Sequence, residues 1–188
     1  MVTCRVLTAP EVLKYGDFLK DRTLETKNLY FGISVSDYYI DQLLERIQDN
    51  PSKHRIVVAE DVFLNIVGTI HIADMSDEEV ELGVMVAEDY RKLGISSTMM
   101  DYALTWCRNR NKNKIYMHCL GHNKPIIHLV KKYGLAITRD HGDADAHVTL
   151  PHGDIVSWQH EAVLRQTATI ATITRTGLNT FRRMLSLQ

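Results

Sequence analysis

Glu81 to Met100 reads ELGVMVAEDYRKLGISSTMM, and this stretch decides the fold. Leu82 to Val86 form an apolar run short enough for a buried strand. A polar turn follows, then Arg91, Gly94, Ser96 and Ser97. Beyond them Met99, Met100, Ala103, Leu104 and Cys107 recur at helical spacing. A strand, a glycine turn and a helix start make a physical device. The first N–H groups of a helix have no intrahelical partner, and its dipole points positive outward. Such a mouth binds phosphate. Gly94 allows close approach of backbone, the serines are small, and Arg91 adds a planar fork of donors. A loop that uses its glycine only to turn is the plainer alternative. The motif is neither a Walker A loop nor a G-x-G-x-x-G fingerprint.

Working outward, TCRVL at the N-terminus reads as a short strand. Thr8, Pro10 and Glu11 then announce a helix whose buried face carries Val12, Tyr15, Phe18 and Leu19. Ser36 caps a second helix, with Tyr39, Ile40, Leu43, Leu44 and Ile47 on one face and Pro51 at its end. HRIVVAED and FLNIVGTIHIAD are β-branched runs that form an antiparallel meander with ELGVMVA. KIYMHCL is a further strand. NKPIIHLVKKYG is a helix, with Pro125 in its first turn and Gly134 at its C-terminal cap. LAITRD and HVTLP close the pattern as a hairpin across the loop HGDADA. The expected class is α+β, with a mixed, mostly antiparallel sheet flanked by helices.

The chain has 188 residues, enough for one sizeable core. Apolar residues make up 45% and charged residues 24%, the balance of a soluble globular protein. A formal net charge of −1 gives no global field for nucleic acid or an anionic membrane. The three cysteines form no C-x-x-C pair, and an odd count argues against a disulfide framework. The N-terminus lacks a signal-peptide pattern and no window is long enough to span a bilayer, so the expected home is the cytoplasm.

Arg91-Lys92-Leu93-Gly94-Ile95-Ser96 resembles motif A of the GNAT superfamily of acyl-CoA-dependent N-acyltransferases, Q/R-x-x-G-x-G/A. Serine at the last position is the single, mild departure. NKPIIHLVKKYGL resembles that family's N-x-x-A-x-x-x-Y-x-K-x-G-F segment, with Asn123, Lys132, Gly134 and Leu135 in register. Within the superfamily the chain looks most like the acetyltransferase domain of bacterial Pat-type protein lysine acetyltransferases. The resemblance runs from about residue 28 to residue 150.

That resemblance implies a GNAT fold whose central sheet splays at an acetyl-CoA site. The pantetheine arm would pair with the backbone of Val84, Met85 and Val86. The pyrophosphate would meet the N–H groups of Arg91, Lys92, Gly94, Ser96 and Ser97. Asn123 would lie beside the arm. Acyl transfer to an amine needs a base, because a lysine-type ammonium has a solution pKa near ~10.4. Glu81, at the start of the splayed strand, is the candidate base, and Glu79 on the same strand face is the reserve. Val130 occupies the position where many family members carry a tyrosine acid, so no catalytic acid is assigned.

Other features have plain readings. His141, Asp143, Asp145, His147 and His152 cluster in sequence but match no metal-ligand spacing, so no metal is expected. His71 and His118 read as core or cleft-lining residues. The acidic turn Asp74, Asp77, Glu78 and Glu79 could draw in a cationic amine. Residues 1–154 are expected to form the acetyltransferase domain, and 155–188 a C-terminal extension. A helical stripe there would comprise Val163, Ile170, Ile173, Leu178, Phe181 and Leu185, although TATIATIT also permits a strand. Such an apolar segment is expected to pack on the domain or on a second copy, giving a homo-oligomer. The combined reading is an N-acetyltransferase that uses acetyl-CoA and a primary amine, first a protein lysine. A small amine such as a polyamine or aminoglycoside, and a non-catalytic acyl-CoA-binding module, are the alternatives.

Overall fold

The computed structural model describes residues 2–185, with side chains described through Gly177. Seven strands form one sheet: β1 (Thr3–Val6), β2 (His54–Glu60), β3 (Ile66–Asp74), β4 (Glu79–Val86), β5 (Lys114–Leu120), β6 (Ala136–Asp140) and β7 (Asp143–Thr149). The helices are α1 (Val12–Lys20), α2 (Leu24–Phe31), α3 (Asp37–Asp49), α4 (Ile95–Arg108), α5 (Lys124–Lys132) and α6 (Ile155–Leu185). The strand order is β1-β2-β3-β4-β5-β7-β6. Every neighbouring pair is antiparallel except β4 with β5. The α+β class and the antiparallel meander are as the sequence pattern requires.

Alternation along the strands gives two cores. On one face Val57, Ile70, Leu82, Ile115 and Met117 meet Met99, Met100 and Ala103 of α4 and Leu129 and Val130 of α5. On the other Ile56, Val58 and Met85 meet Tyr15 and Leu19 of α1 and Ile40 and Leu44 of α3. All four residues expected on the buried face of α1 are buried. In α3, Ile40, Leu44 and Ile47 are buried, while Tyr39 and Leu43 are only half-buried. Ser36 caps α3 by accepting from Tyr39 N–H (3.3 Å). Gly16 lets these two helices approach, since a Cβ there would stand 2.3 Å from a methyl of Leu44.

Three features depart from the sequence pattern. Helix α2 was not foreseen, because its apolar residues follow no helical stripe. Thr26 is its single buried residue. The β6–β7 loop is only His141 and Gly142, so Asp143, Asp145 and His147 lie within β7. The tail is one helix, α6, through Gly177 without interruption. It lies on α4 and β1. Its inward positions are Ser157, Glu161 and Ala168, with Leu164 partly buried, whereas Val163, Ile170 and Ile173 are exposed. The expected stripe is therefore not the packing face. Its remaining members, Leu178, Phe181 and Leu185, lie outside the residues whose side chains are described. The inward face is fixed by polar contacts. The Glu161 carboxylate accepts from Asn109 Nδ2 (2.7 Å) and from both terminal nitrogens of Arg110 (2.9 Å each).

His71 sits in β3 beside Tyr15, with its Nε2 3.1 Å from His54 Nδ1. Burial, and secondarily His54, push its pKa down to about 3. The unfolded chain takes up a proton there near pH ~6.5, and the folded protein does not. This contribution to stability is therefore complete above pH ~6.5 and is lost as pH falls toward about 3. His71→Gln should flatten the decline in melting temperature between roughly pH 7 and pH 5. An unchanged slope would remove His71 as its source.

Candidate active site

β4 and β5 pair over three positions only: Glu79 with Lys114, Val80 with Ile115 and Glu81 with Tyr116. Past Glu81 the strands part. β4 stays paired to β3 through Val86, and β5 stays paired to β7 through Leu120. The edge of Leu82 to Val86 that faces β5 has no strand partner. Tyr30 of α2 packs there: a Cβ on Gly83 would stand 2.6 Å from the Tyr30 hydroxyl. Glycine at 83 is therefore what lets the ring reach the strand.

The gap opens into a cleft of about 330 Å³. It brings together Val84, Met85, Val86, Arg91, Lys92, Gly94, Ser96 and Asn123, eight of the nine residues singled out for acyl-CoA. Ser97 does not line it. Its hydroxyl accepts from Lys132 Nζ (2.8 Å), and its carbonyl accepts from the Tyr133 hydroxyl (2.8 Å). The Tyr133 hydroxyl also lies 2.7 Å from Asp101 Oδ1, the two acceptors sharing its one proton, so Tyr133 joins the end of α5 to α4. Val130 is fully buried in the core.

The mouth of α4 closes one end of the cleft. Gly94 is its N-cap, with φ +78°, a conformation that glycine adopts without strain. Lys92, two residues earlier, is also left-handed at φ +63°. The first hydrogen bond of the helix runs from Thr98 N–H to the Gly94 carbonyl (3.1 Å), and no side chain caps the start. The N–H groups of Ile95, Ser96 and Ser97 are thus left without intrahelical partners. With Arg91 and Lys92 they form a cationic, donor-rich end that fits a phosphate-bearing ligand. An apolar groove with one unpaired strand edge fits an extended arm. The residues present therefore suit the two chemically distinct parts of acyl-CoA.

Helix α2 supplies the wall that the sequence pattern missed: Thr26, Leu29 and Tyr30. It is tied in from three sides. Arg91 donates to Thr26 Oγ1 (2.6 Å). Asn123 donates from Nδ2 to the Leu29 carbonyl (3.2 Å) while its Oδ1 caps α5 by accepting from Ile126 N–H (3.4 Å). Glu88 accepts from Thr23 Oγ1 (2.9 Å) and from Arg22 (3.0 Å). Burial opposes ionisation of Glu88, but hydrogen bonds from Thr26 and Thr23 outweigh it and hold its carboxyl down to about 2. The clue to α2 lay in its ends. Thr23 accepts from Thr26 N–H as a cap, and Gly32 stops the helix at φ +74°.

Glu81 stands at the fork and is solvent-exposed, and its carboxylate has no hydrogen-bond partner among the described residues. Its charge acts on Tyr30 and Tyr116. The Tyr30 phenol is pushed up to about 12, mainly by burial and further by Glu81, although its hydrogen bond with Tyr15 (2.9 Å) opposes the rise. Next on the same face, Asp145 accepts from the Tyr116 hydroxyl (2.8 Å) and meets His118 Nδ1 (2.9 Å). The acidic turn is less available than its sequence suggests. Asp74 is paired with Lys112 (2.8 Å) and Glu78 with Lys114 (2.9 Å).

A mostly antiparallel sheet forked between two parallel strands, with an uncapped helix mouth beside the fork, defines an acyl-CoA-dependent N-acetyltransferase. The chain belongs to the acetyltransferase (GNAT) family, whose model matches residues 21–135. Members of this family take the transferred group from acetyl-CoA. Among solved structures the fold is similar to the GNAT domain of S. lividans PAT (TM-score 0.67, 15% identity, covering 78% of this chain and 89% of that one). It is also similar to a GNAT-family acetyltransferase from Staphylococcus aureus MU50 (TM-score 0.65, 19% identity, 80% and 99% covered). A third is the spermidine N-acetyltransferase of Vibrio cholerae in complex with CoA and spermine (TM-score 0.60, 18% identity, 78% and 92% covered). Comparison with curated proteins gave no match. Among the described residues no helix is long and apolar enough to cross a membrane. No group of three or more His, Cys, Asp or Glu side chains there could hold a metal ion.

Gly94→Asp tests the helix mouth. A Cβ there meets open space, and aspartate tolerates a left-handed backbone better than most residues, so the fold should survive. The added carboxylate should lower acetyl-CoA affinity at least ~10-fold by calorimetry. Unchanged affinity in the folded variant would remove the phosphate role from this turn.

Proposed function

We propose that this chain transfers an acetyl group from acetyl-CoA to the amine of a protein lysine by direct attack. Eight residues carry the cofactor in this reading: Val84, Met85 and Val86 along the arm, Arg91, Lys92, Gly94 and Ser96 at the phosphates, and Asn123 at the facing helix. Glu81 is the base. The observation that carries the proposal is its position, an exposed carboxylate at the residue where β4 and β5 part. It accepts one proton from the ammonium, directly or through a water, and the neutral amine so formed attacks the thioester carbonyl; the second proton leaves the nitrogen to water as the amide forms. The C–S bond then breaks. Tyr30, with its phenol pushed up to about 12, is a neutral hydrogen-bond donor at the fork rather than a proton source. The thiolate leaves as an anion and takes its proton from water.

Protein lysine is preferred because the acceptor side is open. Glu81 is exposed, and His118 and Asp145 keep 37% and 40% of their side-chain surface. A broad acidic mouth suits a lysine presented from another protein's surface. The second reading is a polyamine, favoured by the same negative charge at Asp145, Glu79 and Glu81. A reducing compartment fits Cys4, Cys107 and Cys119, which are free thiols.

CoA release with lysine-bearing proteins and with spermidine as acceptors, followed by mass spectrometry of the products, separates the two. Acetyl-lysine on protein is the expected product. Acetylspermidine alone would replace it with the second reading. Glu81→Gln should lower turnover ~10²–10⁴-fold with little change in acetyl-CoA affinity, and raised pH should recover part of the rate. Wild-type turnover at neutral pH would move the role to Glu79 or to solvent.

A further inference from the structure

A second cavity, of about 570 Å³, lies among α6, α4 and the β1–β2 edge. It shares no lining residue with the acyl-CoA cleft. Four arginines line it, Arg5, Arg55, Arg110 and Arg165, against one carboxylate, Glu161. Two of these cations are already neutralised. Arg5 is held by Glu60 (2.6 Å) and Glu11 (2.8 Å), and Arg110 by Glu161 (2.9 Å). Arg55 and Arg165 have no hydrogen-bond or ion-pair partner from their side chains among the described residues.

Arg55 is the sharper anomaly. It is half-buried in β2, its guanidinium lies 4.6 Å from the centre of the Trp106 ring, and its Nε is buried without an acceptor. Arg110 lies 4.5 Å from the same ring. Two guanidinium groups are thus gathered on one indole, and the Trp106 Nε1–H is itself buried without an acceptor. A buried donor left unpaired is destabilising, and more so when it is charged. Burial and Arg110 together press Arg55 toward losing its proton. A bound anion would balance the charges of Arg55 and Arg165, both of which line the cavity without a carboxylate partner among the described residues.

We propose that this cavity binds a small oxyanion of at least two negative charges, a phosphate ester or a polycarboxylate, between Arg55 and Arg165. The volume is within the usual ~300–1,000 Å³ of small-molecule sites. Planar guanidinium forks suit the paired oxygens of either group. Both arginines lie outside the acyl-transfer site, so this second site stands whether or not that reading does.

The test is calorimetry on the full chain, with the other cleft saturated by CoA, titrating inorganic phosphate and citrate in separate runs at low chloride. One of them should bind, and the stronger of the two identifies the class. Arg55→Gln and Arg165→Gln should each weaken that binding at least ~10-fold while acetyl-CoA affinity is unchanged. Should Arg55→Gln fail to fold, Thr169→Glu on the exposed rim adds a competing carboxylate without disturbing the core, and should abolish binding. Heat from neither probe would overturn the proposal, as would binding that none of the three substitutions weakens.

Discussion

Everything that makes this molecule a candidate enzyme follows from the early parting of β4 and β5. A parallel pair of this length could continue to the ends of both strands, and here it stops after three positions. The sheet is in effect two half-sheets, β1-β2-β3-β4 and β5-β7-β6, joined by a short seam. What keeps them together is the layer beneath. Met99, Met100, Ala103, Leu129 and Val130 form one apolar core with residues of both halves, among them Leu82, Val84, Ile115 and Met117. Burying each of the larger of these side chains contributes roughly 1.5–3 kcal/mol, together far more than the few strand hydrogen bonds given up at the fork. The split is stable because hydrophobic packing, which has no direction, spans it.

The fork leaves polar groups without protein partners, and they are of two kinds. One side of β4 presents unpaired backbone beside apolar side chains. The mouth of α4 presents N–H groups beside Arg91 and Lys92. A ligand with an extended amide-bearing arm and an anionic end satisfies both. Tyr30 completes the arrangement from the third direction. Its ring takes the space that Gly83 leaves vacant, and its hydroxyl is held neutral by burial and by Glu81. Glu81, the Tyr30 hydroxyl and the strand edge thus depend on one another, since each is positioned by the same divergence.

Helix α6 shows polar chemistry overruling apolar pattern. Three charge-assisted hydrogen bonds reach the Glu161 carboxylate, each worth ~1.5–3 kcal/mol, and an unpaired buried carboxylate would cost several. Exposing Val163, Ile170 and Ile173 costs less than stranding Glu161 and Asn109. The helix therefore turns its polar knot inward. The same choice of face places Arg165 in the lining of the second cavity with Arg55.

The sequence alone determined the alternation of strands and helices, the antiparallel meander, the faces of α1 and α3, and the glycine turn at the head of α4. These are local facts: side-chain period, capping residues and the backbone freedom of Gly94 act over a few neighbours. Motif A and the Asn123 segment could be placed for the same reason, as could Glu81 on its strand. Helix α2 could not, because it is held by Arg91, Asn123 and Glu88, which lie far off in the chain. Nor could the loss of Ser97 from the cleft, which follows from Lys132 and Tyr133 of another helix. The outward turn of the α6 stripe depends on where Asn109 and Arg110 stand. The length of the β4–β5 seam depends on the packing of two helices beneath it. Those features were decided by long-range contacts between side chains, which only the tertiary structure brings within reach.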